Sequence, residues 1–304
     1  MAGSTGEVIK SLVVNTIIAA SKGVAAGITG SGAMLAETLH SFADCGNQLL
    51  LLRGIKQSAR PADVKHPLGY GRAMYFWSFI VALLLFFGGG VFSIYEGVHK
   101  IMHPEAVGDI TVALVILGLS IVLEGWSTLG NIKVMNARRG QGSAKVGFVR
   151  YLRETKDSDL IVVFGENSAA VLGLLLAGTA LIIAKETNDG RWDAVGSLAI
   201  GLVLVGVAAF LAHEVKSLLV GEAADPILLK VTDELVAEDP NVEKVIRVLS
   251  IQQGPGEIVV AMKLKFRDGL ETNQLVEAIN SFERALEARI PEVKWSFIEP
   301  DTVD

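Results

Sequence analysis

The sequence predicts an α-helical membrane protein with six transmembrane helices, followed by a small α+β domain. Three observations predict it. The 304-residue chain is 51% hydrophobic with a mean hydropathy of +0.46, too apolar for an ordinary soluble protein of this size. The apolar residues come in blocks of about 20, the length that crosses a bilayer core as a helix. Six such blocks precede residue 214 and none follows it. Beyond "FLAHEVKSLLVGEAADP" the composition becomes charged: ten basic and eighteen acidic residues give the tail −8, against a chain total of −6, and leave about +2 for the rest. The division is therefore 1–213, the six-helix membrane domain, and 214–304, the soluble domain.

The expected spans are 8–29, 33–52, 74–99, 110–132, 158–184 and 192–213. The first, around "VVNTIIAASKGVAAGITG", lacks a strongly basic leader and is followed almost at once by more apolar sequence, so it reads as a retained helix. Loop charge orients the bundle. The loop near 53–73 carries Arg53, Lys56, Arg60, Lys65 and Arg72. The loop near 133–156 carries Lys133, Arg138, Arg139, Lys145, Arg150, Arg153 and Lys156. Lys22 and Lys100 are the lone basic residues near the first two alternate connections. Basic loops stay cytoplasmic, so six spans put both termini inside. With no targeting segment in view, a bacterial inner membrane is the expectation, and a trimmed organellar protein the alternative.

In the tail, "PILLKVTDELVAE" has helical spacing with Pro226 at its N-terminal end. "VEKVIRVLSIQQ" and "EIVVAMKLKF" alternate as strands about the turn-rich "GPG". "ETNQLVEAINSFERALEARI" is amphipathic, and "EVKWSFIEP" closes as a strand. The order is α-β-β-α-β. A domain of this size is marginal alone, and a second copy would help it. Its acidity argues against nucleic acid and against docking on anionic lipid. No phosphate-binding loop appears. Gly88, Gly89 and Gly90 inside an apolar span read as close helix packing or a local kink. The lone Cys45 excludes an internal disulfide and a cysteine-based zinc cage.

The informative residues are polar ones inside the spans. His40 and Asp44 are one helical turn apart on one face, and Asn47 follows on that face. A carboxylate in hydrocarbon needs a partner or a metal. The two readings are a polar pair that packs the bundle and a site for metal or protons; imidazole plus carboxylate suits zinc and related divalent ions. Span five holds Glu166 and Asn167 in "GENSAAVLG". If spans two and five pack together, His40, Asp44 and Glu166 share one cation, with Asn47, Asn167 or water as a fourth ligand. The alternative is a Glu–Asn patch between helices. Glu124 in span four lines the pathway, accepts a proton, or pairs with a base near a helix end. Glu37 is expected nearer the outer mouth, and His99 and His103 at a solvated helix end.

"HSFADCGNQLLLL", "RPADVKHPLGYGR", "GENSAAVLG" and "WDAVGSLAIG" together resemble the cation diffusion facilitator family, over nearly the whole chain. The fine pattern is most similar to the branch with mitochondrial zinc transporters and their bacterial relatives. The resemblance implies six transmembrane helices, a cytoplasmic ferredoxin-like domain, a homodimer and exchange of a divalent cation for protons. The family's span-two motif falls on His40 and Asp44. Its span-five motif has a histidine where this chain has Val162, and the branch shows Glu-Asp where this chain has Glu166-Asn167. Asp63 and His66 match a loop site of the family, but Tyr70 stands where some members have a third ligand, so that site is expected to be weak. No histidine follows His213, so no regulatory zinc site is expected in the tail.

The expected function is non-enzymatic: export of a divalent cation, zinc first, from the cytoplasm in exchange for protons. Metal is cargo, and no resident cofactor is expected. His40, Asp44 and Glu166, with Glu124, are the candidate proton carriers. The alternatives are Mn, Fe, Co or Cd specificity in the same fold, and a channel or membrane scaffold in which the polar pairs only hold helices together. Expected partners are the metal ion, protons, lipid and a second copy, with no nucleic acid.

Overall fold

Long apolar runs have one local way to satisfy their backbone away from water, the helix. The computed structural model describes residues 2–103, 110–139, 147–154 and 158–302. Helix α1 (Ala2–Thr29) ends at Gly30, whose φ of 63° is the left-handed conformation that stops a helix most easily at glycine. Then follow α2 (Gly32–Ser58), α3 (Ala73–Leu84), a π-helical segment (Leu85–Val91) and α4 (Phe92–Met102). After them come α5 (Thr111–Arg139), the short α6 (Phe148–Glu154), α7 (Ser158–Thr187) and α8 (Arg191–Val220).

Among the described residues, four helical stretches are long and apolar enough to cross a membrane: Ala73–Met102, Thr111–Ala137, Ile161–Thr187 and Arg191–Val220. Helix α2 matches them in length but carries Glu37, His40, Asp44, Arg53 and Lys56. Several helices outrun the apolar blocks. Helix α2 continues past residue 52 through Arg53 and Lys56, and α8 past 213 through Lys216, because lysine and arginine are good helix formers that hydropathy does not count. Lys145 and Lys156 of the basic loop lie outside the described residues.

The chain divides into two compact units. The helical unit comprises Met1–Lys56, Phe76–Leu152 and Ser158–Lys216. Helix α5 packs on α7 and on α1. The glycines explain a second seam. A Cβ on Gly90 would lie 2.7 Å from Val205 Cγ2, one on Gly97 2.8 Å from the Leu198 nitrogen, and one on Gly201 2.8 Å from the Ile94 nitrogen. The π-helical segment and α4 therefore meet α8 almost backbone to backbone, as small residues allow between membrane helices. The glycine triple accordingly serves both packing and helix irregularity.

The second unit is formed chiefly by Gln57–Tyr75 and Ser217–Asp304. Its elements are α9 (Ile227–Glu238), β1 (Val242–Gly254), β2 (Glu257–Phe266), α10 (Thr272–Arg289) and β3 (Val293–Pro300). The sheet order is β1-β2-β3, with β1 antiparallel and β3 parallel to β2. Strand β2 alternates, burying Val260, Met262 and Leu264. They meet Leu228 and Leu235 of α9 and Phe282 and Leu286 of α10 in one core. A reciprocal pair of bonds between Glu271 and Gln274 caps α10. The loop 57–72 packs on the β1–β2 hairpin within this unit. Arg72 Nε donates to Gln253 Oε1 at 3.1 Å, and Gly71 fits against the Gly254 backbone with no room for a side chain.

Candidate functional site

The 3.6-residue period of α2 puts Glu37, His40, Asp44 and Asn47 along one side of that helix. His40 and Asn47 are fully buried, and Asp44 nearly so. His40 Nε2 stands 3.6 Å from Asp44 Oδ2, an ion-pair distance rather than a hydrogen bond. Asn47 Nδ2 donates to Glu166 Oε1 of α7 at 2.6 Å. Ten residues earlier on α2, Glu37 lies against Gly173, where any Cβ would collide with its Oε1. Contacts that run backward on α2 and forward on α7 make the two helices antiparallel.

Spans two and five therefore do pack together, and they bring His40, Asp44, Asn47 and Glu166 to one interface. Buried polar atoms ordinarily find a partner. Here both ring nitrogens of His40, Asp44 Oδ1 and Asn47 Oδ1 have no hydrogen-bond partner among the described residues. These atoms are nitrogen and oxygen donors of the kind divalent cations take. Among the described residues no three His, Cys, Asp or Glu side chains converge closely enough to enclose a metal ion. Glu166 is tied to the Asn47 amide, so Asn47 presents its oxygen, not its nitrogen, as a free donor atom.

The other candidates sort by placement. Asn167 Nδ2 donates to Ser127 Oγ at 3.0 Å, on α5 rather than toward the α2 interface. Glu124 on α5 is partly buried. Asp63 and His66 sit in the second unit, exposed, with Asp63 Oδ1 3.4 Å from His66 Nδ1. Tyr70 donates to Asp63 Oδ2 at 2.6 Å, and the His66 and Lys65 backbone nitrogens donate to Oδ1. The Tyr70 hydroxyl, then the His66 N–H, hold the Asp63 carboxyl at about 2, below the usual carboxylate range. Both oxygens of Asp63 are thus engaged in folding the loop. His99 and His103 lie at the end of α4, exposed, with ring centroids 5.0 Å apart and the rings tilted by 31°.

Two features were missed in the sequence. Lys22, which the sequence sets near the first turn as loop charge, is fully buried inside α1, where its Nζ meets Glu37 Oε2 at 3.2 Å and donates to Ser41 Oγ at 2.8 Å. Glu37 is fully buried with it rather than set at a solvated mouth. An ionisable residue amid "IIAASKGVAAG" was the available signal. The second feature is Asp193 of α8, 1% exposed. Its carboxylate accepts from Ser31 Oγ at 2.5 Å, from the Gly32 nitrogen at 2.6 Å and from the Ala33 nitrogen at 3.3 Å. It caps α2 from another helix and so sets where α2 begins. Lys100 donates to the Gly30 carbonyl beside it and lies 3.9 Å from Glu96.

A model of the cation efflux transmembrane domain matches residues 8–220. The chain belongs to the cation efflux family. Residues 8–220 are thus a membrane domain of that family. Similar curated proteins include the mitochondrial proton-coupled zinc antiporter SLC30A9 of Homo sapiens, 32% identical over 88% of this chain and 46% of its own length. The Xenopus laevis protein of the same name is 32% identical over 82% of this chain and 44% of its own. Metal tolerance protein C4 of Arabidopsis thaliana is 29% identical over 78% and 52%. This cation-efflux chain thus spans about half the length of the relatives it matches. A solved cadmium form of a MamM CTD variant matches over 26% of the chain at 14% identity, with a TM-score of 0.24, too low to bear on fold or function.

Proposed function

We propose that this protein is a secondary transporter that exports a divalent cation, zinc first, from the cytoplasm in exchange for protons. The observation that carries this reading is the buried α2–α7 interface, where Asn47 joins Glu166 of α7 to the side of α2 that carries His40 and Asp44, and where His40, Asp44 and Asn47 have unpaired nitrogen and oxygen atoms. His40, Asp44 and Glu166 hold the cation, and the unpaired Asn47 oxygen is the fourth donor of the proposal. Family membership and relatives named as proton-coupled zinc antiporters support the same assignment.

Imidazole and carboxylate ligate metal in their deprotonated forms, so metal and protons compete for one set of atoms. A site that alternately faces each side of the membrane then couples the two fluxes. In this proposal Glu124 of α5 relays protons to that set. All six long helices cross the membrane, α1 and α2 included, with both termini cytoplasmic and 214–304 a cytoplasmic domain. A bacterial inner membrane and a homodimer complete the proposal.

The test is calorimetry of zinc binding to the full chain in detergent, in buffers of different ionisation enthalpy. The proposal expects one zinc per chain, with proton release that depends on His40. Zinc binding that releases no protons, or that survives His40→Ala unchanged, would contradict it and favour a scaffold.

A further inference from the structure

The Lys22–Glu37–Ser41 cluster is a polar layer separate from the His40 set. It joins α1 to α2 about one turn from His40, on the side of the α1–α2 turn. Both charges have 0% exposure. Glu37 Oε1 has no hydrogen-bond partner among the described residues and rests on Gly173 of α7, where a Cβ would force the Glu37 carboxylate to move. Three helices thus meet at one ion pair. The same end is closed further out by the Asp193 carboxylate on Ser31, Gly32 and Ala33, and by Lys100 on the Gly30 carbonyl.

A buried ion pair contributes little net stability over a well-packed apolar pair, yet separating its partners in a dry environment is costly. Such a pair has two favourable situations: closed and dry, or parted with each ion hydrated. We propose that Lys22 and Glu37 form a charge gate that seals the transport site on the side of the α1–α2 turn. When α1 and α2 part, the ammonium leaves Glu37, and the freed carboxylate is the first anionic group a divalent cation meets on that route. Lys22 is then a tethered counter-ion that holds the place of the cargo's charge while the gate is shut. This inference rests on the transport reading above.

The test uses the full chain in proteoliposomes carrying an internal zinc reporter. Parent and the double variant Lys22→Met/Glu37→Met are compared for zinc movement down its gradient with no pH difference. Zinc binding by calorimetry on the same preparations serves as the check on the site. The gate predicts that the double variant binds zinc within roughly threefold of the parent but leaks it roughly tenfold faster or more, since only the closed state is weakened. The exchanged pair Lys22→Glu/Glu37→Lys should be tighter than the double variant. If the double variant stays as tight as the parent, the pair only packs helices and the gate is wrong. Should that variant not fold, Gly173→Ala carries the test by displacing Glu37 from its seat; parental tightness there overturns the gate. A parent that carries no zinc at all refutes the transport reading and the gate with it. A transporting parent beside a tight double variant refutes the gate alone.

Discussion

Asp193→Ala should destabilise the helical unit more than any ordinary polar substitution, because a buried carboxylate there completes another helix. Its two oxygens accept three bonds, from Ser31 Oγ at 2.5 Å and from the Gly32 and Ala33 nitrogens at 2.6 and 3.3 Å. The Ser31 hydroxyl can find another acceptor by rotating. The two backbone N–H groups cannot, and each buried donor left unsatisfied costs about 1–3 kcal/mol. The loss is therefore about 2–6 kcal/mol, against the roughly 0.5–2 kcal/mol of a solvent-exposed N-cap. For a unit of this size that corresponds to a fall in melting midpoint on the order of 10 °C. Asp193→Asn should recover only part of it, since an amide nitrogen turned toward a backbone N–H is a second donor. The assay is thermal unfolding of the full chain in one detergent, followed by intrinsic fluorescence. An Asp193→Ala protein that melts within about 2 °C of the parent would refute the reasoning, because a loss of about 1 kcal/mol or less falls below the roughly 2 kcal/mol that two orphaned N–H groups should cost at least.

The remaining predictions concern the site and the loop. His40→Ala and Asp44→Ala should each weaken zinc binding by more than the roughly 10–100-fold that outer-shell partners of a metal typically cost, measured by calorimetry on folded protein. Glu166→Gln should lower zinc affinity and flatten its pH dependence, while Asn167→Ala, whose amide faces Ser127, should leave both near parental; the reverse order would place Asn167 in the site. Tyr70→Phe should move the Asp63 carboxyl from about 2 back toward its ordinary range, read by NMR titration. The sign follows from the depressed value: the bond's contribution is present above the ordinary carboxylate pKa and is lost as pH falls toward about 2. The loop fold should therefore be indifferent to pH near neutrality, and a transition at pH 6 would contradict the assignment.

Much of this protein was legible before its structure. Apolar block length placed the long helices, because a membrane span declares itself by composition along one segment. The alternation of "EIVVAMKLKF" and the periodicity of 271–290 placed β2 and α10 to within a residue or two. The four-residue spacing of His40 and Asp44 put both on one face, since local periodicity needs no tertiary knowledge. What stayed hidden depends on how helices are rotated against each other. Lys22 looks like turn charge in a linear reading, and only the packing of α1 on α2 turns it onto Glu37. Its burial leaves the connection between those helices poorer still in basic residues, which strengthens the charge asymmetry used to orient the bundle. Asn167 follows Glu166 by one residue and so points about 100° away, but which of the two faced α2 could not be read from span five alone. Asp193 caps a helix that begins 161 residues earlier, an arrangement with no local signature.

The most direct measurement of the central claim is simultaneous recording of zinc and pH in proteoliposomes of the full chain. With zinc on one side and no initial pH difference, the account predicts zinc flux accompanied by proton flux in the opposite direction. An imposed pH gradient should in turn drive zinc uphill. Both should vanish in His40→Ala at equal protein content. Zinc movement with no proton counterflow, or full coupled exchange by His40→Ala, would contradict the account.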